Sequence, residues 1–509
     1  MTRLRYRRAI FAAVVIAALA GIYAAAGAVH PAAAAGSGRP GKVTRAAVST
    51  ATRLCAAPGS AAPTAASVAV AAMPHSSAAG QAVITRLTAG GATSAGPVVA
   101  TDSQPGVLQV STIKTAAPLT KAEQVSQPGS SAGVTTQNAQ GGIAVNATGA
   151  MAQGLQVAQT GPGGLVTAQC GAPGTNFWFV GPGQATAGTI DLYLMNAGSQ
   201  PADAAVSILT DVTKGPPLLG NADNGITVPP HGMVVQSLGR LVQSSKVIAL
   251  NVTTSVGQVV AAVRETKSVQ RDGEWLPATQ APARRLVIPG LPSAAGARDL
   301  YIAVPGSASA DVKITAVTAK GSYQPTGGTG IDLLGGSAVA IPVSSLTGVS
   351  GSLSISASVP VTATIEVPGG PAGTSGALAV SAAPVGEQGV LAGNPARSAG
   401  STELVLSAPR KAASVRITVA TSTESAFGQQ GTVVQIKAGS SVVIPESLPR
   451  SAKADVFALL LTPESGSGPV YAARIISTGR TVLSILPVPP SPTWILLPAV
   501  QSSLSAIIG

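Results

Sequence analysis

Aromatic residues make up only 3% of this chain and charged residues 10%, and it has three histidines and two cysteines. Each shortage closes a route to chemistry. A zinc site needs three or four converging nitrogen, sulfur or oxygen ligands. His30, His75 and His231 lie far apart in sequence, each beside a proline. A serine nucleophile needs a histidine base, and Gly400-Ser401 and Gly466-Ser467-Gly468 lack the G-x-S-x-G frame of a nucleophile elbow. The Gly-Pro-Gly turns at 161–163 and 181–183 are not followed by the Lys-Ser/Thr of a phosphate loop. No catalytic residue, metal ligand or cofactor is expected. Nucleic acid is not an expected partner either: the net charge is +12, but beyond the N-terminus the basic residues stand singly except at Arg284-Arg285 and Arg410-Lys411. Binding to nucleic acid calls for clustered Lys and Arg with interleaved aromatics. Outside the N-terminal apolar run long helices are not expected, because the chain has 59 glycines and 39 prolines.

What the chain does have is repetition. Thr64–Met73 reads TAASVAVAAM and Thr186–Met195 reads TAGTIDLYLM, and the same apolar alternation returns at Asp299–Ile302 and Glu403–Leu406. The first two copies follow a C-x-A-P-G start, at Cys55–Gly59 and Cys170–Gly174. Four β units follow from this spacing: 51–165, 166–270, 284–370 and 400–509. They are joined by linkers at 36–50, 271–283 and 371–399. Units three and four each hold about seven short apolar runs separated by Gly, Pro and Ser clusters. That pattern predicts tandem immunoglobulin-like β-sandwiches. Lys246–Thr253 with Gln258–Arg264 reads as a closing hairpin of the second unit. Asp299–Val304 with Asp311–Thr318 reads as a hairpin of the third. A competing architecture is a closed β-propeller, each unit supplying two four-stranded blades. It rests on Trp494–Ala499 (WILLPA), which echoes the unit start Arg285–Gly290 (RLVIPG) and reads as an orphan opening strand.

The N-terminus holds Arg3, Arg5, Arg7 and Arg8, followed by an uncharged run from Ala9 to Val29. A basic flank before an apolar segment is an export signal, and about 20 apolar residues span a bilayer as a helix. Residues 1–35 are therefore expected to be a signal anchor or signal peptide, with a membrane helix through 9–29. The protein is then single-pass with an extracytoplasmic C-terminal region, or secreted if the signal is cleaved. Removing the four N-terminal arginines from the +12 leaves +8 for the exported part. In an exported chain an even cysteine count favours a disulfide, Cys55 to Cys170.

Glu265, Asp272 and Glu274 cluster near Trp275, where two carboxylates and an aromatic platform would suit a glycosidase. The segment reads more simply as a solvated hinge. Trp178, Trp275 and Trp494 are the candidate ligand platform.

The Arg-rich anchor, the C-x-A-P-G starts, Asn176–Gly183 (NFWFVGPG) and the closing Trp494–Val500 segment together resemble an actinobacterial family of exported proteins, domain of unknown function 5719. The resemblance implies an envelope location in a high-GC Gram-positive bacterium and brings no catalytic residues. The expected role is a non-enzymatic structural or interaction protein of the cell envelope, with an envelope protein as its partner. The alternative is a carbohydrate-binding accessory of cell-wall metabolism, with a cell-wall glycan as ligand.

Overall fold

The computed structural model describes residues 44–56, 66–71, 80–86, 88–89, 108–110, 131–136, 142–160, 167–183, 188–211, 218–219, 225–238, 242, 245–266, 274–294, 296–367, 376–395, 401–421, 431–444, 456–478 and 481–497. The apolar run 9–29 lies outside them. Among the described residues no helix is long and apolar enough to cross a membrane. The protein is all-β. The chain divides into two compact units, one of residues 47–494 and one of residues 1–46 with 495–509.

The larger unit is built from four repeats. The first holds β2 (Thr50–Cys55), β3 (Ala66–Ala71), β4 (Gly80–Arg86), β5 (Thr88–Ala89), β6 (Leu108–Val110), β7 (Ser131–Thr136), β8 (Ile143–Gly149), β9 (Gln156–Thr160) and β10 (Thr167–Gln169), after β1 (Thr44–Ala47). The second holds β11 (Asn176–Pro182), β12 (Thr189–Met195), β13 (Ala202–Thr210), β14 (Leu218–Leu219), β15 (Ile226–Val228), β16 (Gly232–Ser237), β17 (Val247–Val256), β18 (Val260–Thr266) and β19 (Glu274–Leu276). The third holds β20 (Ala283–Leu291), β21 (Asp299–Val304), β22 (Ala310–Thr318), β23 (Gly321–Tyr323), β24 (Ile331–Leu333), β25 (Ser337–Pro342), β26 (Gly351–Val367) and β27 (Ala377–Val380). The fourth holds β28 (Gly389–Pro395), β29 (Ser401–Ala408), β30 (Ala413–Thr421), β31 (Thr432–Ile436), β32 (Ser440–Ile444), β33 (Val456–Pro463), β34 (Tyr471–Thr478) and β35 (Thr481–Pro487), before β36 (Trp494–Leu497). Strands β19, β27 and β28 thus lie within the stretches read as linkers, 271–283 and 371–399.

Every repeat makes two sheets with one strand order. The opening sheets run β2-β8-β4-β6, β11-β17-β13-β14, β20-β26-β22-β23 and β28-β33-β30-β31. The closing sheets run β10-β9-β3-β7, β19-β18-β12-β16, β27-β26-β21-β25 and β35-β34-β29-β32. In the third repeat the return segment is one strand of 17 residues. Its first half pairs with β20 and β22, and its second half with β21 and β27. Pro360 falls between the two ladders and pairs with nothing in either, so its missing N–H costs no ladder bond. Elsewhere the return is broken in two. Between β17 and β18 the break contains Gly257 at φ +69°, where a Cβ would come within 2.9 Å of the Ala202 Cβ.

This alternation corrects both hairpins read from the sequence. β17 and β18 lie in different sheets, and β21 and β22 pair with different halves of β26 rather than with each other. The reason is burial on both faces: from Leu300 to Val304 every residue of β21 is buried. Such a strand is apolar throughout, so its pattern does not say which neighbour it pairs with.

The sheets pack in a circuit. Within the second repeat, both sheets share a core that also takes in Tyr301, Ala303, Ala338 and Leu378 of the third repeat's closing sheet. The third repeat's core takes in Val405, Ala473, Ile475 and Ile485 of the fourth repeat's closing sheet. Val390, Ala392, Ala458 and Leu460 of the fourth repeat's opening sheet pack on Ala158 of the first repeat's closing sheet. Leu54 and Ala144 of the first repeat's opening sheet pack on Tyr193, Met195, Met233 and Val260 of the second repeat's closing sheet. The first and fourth repeats each have a core of their own between their two sheets. Each opening sheet therefore meets the closing sheet of the next repeat, and the fourth repeat's meets the first's.

Two fully buried arginines serve this frame. Arg298 donates from Nη1 to the Val349 carbonyl at 2.9 Å and from Nη2 to those of Pro292 and Ala294 at 2.6 and 3.2 Å. Arg474 donates from Nη1 to the carbonyls of Ala392 and Gly393 and to Asn394 Oδ1. These acceptors sit where the β28–β33 register shifts between Leu391 and Asn394. Bulged carbonyls that have left the ladder thus find a donor. Burial lowers the Arg298 guanidinium to about 10 and that of Arg474 to about 9.

In the smaller unit, β1 and β36 form a two-stranded sheet. β36 joins none of the eight repeat sheets, so the orphan strand pairs with the first described strand of the chain.

Candidate binding cavity

The edge strands of the sheets enclose a cavity of about 390 Å³, within the roughly 300–1,000 Å³ range of small-molecule sites. Its walls come from β2, β9 and β10 of the first repeat, β11, β18 and β19 of the second, and β35 with the prolines after it in the fourth. Sequence-distant edges meet here because the opening and last strands of each repeat lie at the ends of their sheets.

Cys55 and Cys170 form a disulfide in this wall, as the even cysteine count suggested. Beside it, Leu54 and Gly171 exchange two backbone hydrogen bonds, of 2.9 and 3.0 Å. Gly171 also allows the second repeat to close in, since a Cβ there would meet Val260 Cγ1 at 2.6 Å.

The polar lining is three glutamines and one arginine. Gln156 Nε2 donates to Ser491 Oγ at 3.0 Å, and Gln169 Nε2 donates to Gln156 Oε1 at 3.1 Å. Ser491 Oγ in turn accepts from the Val390 N–H. This chain of bonds ties the first repeat to the fourth. Gln159 is buried on the opposite face of β9 from Gln156 and Ala158, the face it shares with Val157. Arg53 is half-buried, and its Nη1 donates to the Thr52 carbonyl at 2.9 Å. Burial lowers its guanidinium to about 10.

The aromatic lining is Phe177, Phe179 and Trp275. Trp275 is half-buried and fixed by its neighbours. The Tyr193 ring lies 5.2 Å away, tilted by 59°, and the Arg264 guanidinium sits 5.9 Å from the indole centroid. Burial raises the Tyr193 hydroxyl, and the charge of Arg264 works against that rise.

The three tryptophans of the expected platform are not brought together. Trp275 lines the cavity. Trp178 lies between Phe177 and Phe179 on β11, so its side chain leaves the other face of that strand. Trp494 is on β36, 49% exposed. Of the carboxylates near Trp275, Glu265 and Glu274 are register partners across β18 and β19. Asp272 lies outside the described residues.

Arg53 and the glutamines were not singled out by sequence reasoning, whereas Phe177 and Phe179 lie in the Asn176–Gly183 (NFWFVGPG) stretch that was. One signal was present: Leu155–Gln159 places Gln156 and Gln159 within an apolar strand, where a buried amide needs a partner. Arg53 gave none, being one of many single basic residues.

Fold and cavity together define an all-β repeat protein with a small-molecule-sized cavity among its strand edges. The Family of unknown function (DUF5719) matches residues 124–447, more than half of the chain, and the protein belongs to that family. No curated protein matches it.

Proposed function

We propose that this protein is a non-enzymatic binding module of the cell envelope that holds a saccharide in the cavity between its repeats. One observation carries the reading. The described lining consists of aromatic rings, amides, a guanidinium and aliphatic side chains, with no Asp, Glu, His, Ser or Thr among them. Amides match the hydroxyls of a sugar, and aromatic faces match its C–H faces. The same reading takes the eight sheets as a closed propeller-like ring rather than a row of independent sandwiches, supported by the packing circuit. It also takes residues 9–29 as the membrane segment of an exported actinobacterial protein, supported by the flanking arginines.

The test is intrinsic tryptophan fluorescence of the full chain in detergent, titrated with peptidoglycan fragments and with arabinogalactan oligosaccharides. Saturable binding that is weakened at least tenfold in Trp275→Ala supports the reading, and no binding by folded protein overturns it. A second reading, a scaffold that recruits an envelope protein, is favoured by β36, where Trp494, Ile495, Leu496 and Leu497 are all exposed. Recovery of one protein from envelope extract, lost when these residues are made polar, supports the scaffold.

A further inference from the structure

Resting on the saccharide reading, we propose that the cavity selects an acidic sugar, with Arg53 as the receptor for a carboxylate on the pyranose. Arg53 is the one charged residue among the described lining residues. Among the described residues no carboxylate pairs with it, and its side-chain hydrogen bond goes to the carbonyl of its chain neighbour Thr52. A guanidinium has five N–H donors in a planar fork, so most of its donor capacity remains for a ligand.

The position of Arg53 fits this role. Cys55, two residues on, shares a face of β2 with it, and Val157 shares a face of β9 with Gln159. Cys55, Val145, Val157 and Cys170 form one core between the two sheets of the first repeat. Arg53 and Gln159 therefore look into the same space from opposite sheets. Arg53 also comes at the outer end of that core, where the burial of β2 changes from buried to half-buried.

The contrast with the other buried arginines is instructive. Arg298 and Arg474 each spend their donors on three protein acceptors in the loops and bulges they support. Arg53 lines a cavity instead. A single guanidinium balances a single negative charge, and its fork geometry accepts a carboxylate bidentately. The neutral amide of Gln159, facing the same space, adds hydrogen-bonding groups without adding charge. The ligand class is therefore a monoanionic pyranose, bearing either a lactyl ether carboxylate or a uronic acid carboxylate.

The experiment compares matched sugars on the full chain in detergent, by tryptophan fluorescence and by calorimetry. One pair is the N-acetylglucosamine–N-acetylmuramic acid disaccharide against N,N′-diacetylchitobiose, which differ in the lactyl ether that bears the carboxylate. The other is methyl β-D-glucuronide against methyl β-D-glucoside, which differ in the single C6 carboxylate. We expect the wild type to prefer the acidic member of one pair by roughly tenfold or more, the range of a charge-assisted hydrogen bond. The pair that shows the preference identifies the source of the carboxylate. In Arg53→Gln the preference disappears, while in Arg53→Lys it shrinks but persists, and raising the salt concentration weakens acidic ligands alone. Equal binding of acidic and neutral members by the wild type overturns the assignment and leaves the saccharide reading standing. So does a preference unchanged in Arg53→Gln. Binding of none of the four sugars by folded protein overturns both. Thermal unfolding of each variant establishes that it is folded, and Arg53→Lys keeps the test open if Arg53→Gln does not fold.

Discussion

Replacing Cys55 and Cys170 together by serine removes a bridge whose ends are 115 residues apart in sequence. In the chain-entropy description, closing a loop of that size takes about 5 kcal/mol from the denatured ensemble. The native state loses less. The bridge joins the opening edge of one sheet of the first repeat to the segment leaving the other, and the Leu54–Gly171 hydrogen bonds span the same gap. Those two bonds contribute about 1 kcal/mol each, enough to hold the edges together locally but not to offset the lost closure. The serine hydroxyls add a cost, because Cys55 and Cys170 are both buried, at 3% and 4% exposure. A net loss of about 3–5 kcal/mol is expected, a large share of the 5–15 kcal/mol that holds a typical domain. Urea unfolding of oxidised wild type and of the double variant measures it, read in parallel by tryptophan fluorescence and far-ultraviolet circular dichroism. The denaturant slope should rise in the variant, because its unfolded state is freed of a cross-link. A loss below about 1 kcal/mol at unchanged slope refutes the reasoning. It would mean that the circuit of sheets already restrains residues 55 and 170 without the bond.

Two further substitutions probe the frame. Arg298→Met leaves the carbonyls of Pro292, Ala294 and Val349 without their donor, and a loss of about 3–5 kcal/mol is expected in the same urea experiment. A loss near zero would mean that burial of the charge costs as much as its hydrogen bonds return. Ala458→Phe overfills the contact between the fourth repeat and Ala158 of the first, with an expected cost of about 1–3 kcal/mol in chemical or thermal unfolding. In a row of independent sandwiches the same site would face solvent, and the change would stay within about 0.5 kcal/mol.

Most of the strands are legible in the sequence because their apolar runs are bounded by Gly, Pro and Ser clusters. Thr432–Ile436, for example, is a strand within one residue of where its alternation places it. Pairing is less legible. β21 and β22 look like a hairpin because they are adjacent and similar, yet the chain crosses from one sheet to the other between them. Nothing local marks that crossing, since strands buried on both faces carry no polar edge. Pro360 interrupts the alternation between the apolar runs 352–358 and 361–367, yet both runs belong to β26, where residues 358–360 have no ladder partner. The disulfide was legible from the even cysteine count of a chain read as exported. The cavity was not, because its wall is assembled from residues as far apart as Arg53 and Pro490.

The shared strand order explains why the repeats carry no repeated site. Their apolar strands must recur, since each opening sheet packs on a closing sheet of the next repeat and needs a compatible face. The edge strands share that demand at positions such as Leu54, Val390 and Ala392, but their other positions border edges from other repeats. Polar residues can therefore differ there without loss of packing: Arg53, Gln159, Gln169 and Trp275 all sit on or beside edge strands. In the first repeat the edge pair is also cross-linked, so the segment that carries the cation is tied covalently two residues on, at Cys55. A receptor for a charged group benefits from that rigidity, because an arginine fixed before binding loses less freedom when the ligand arrives.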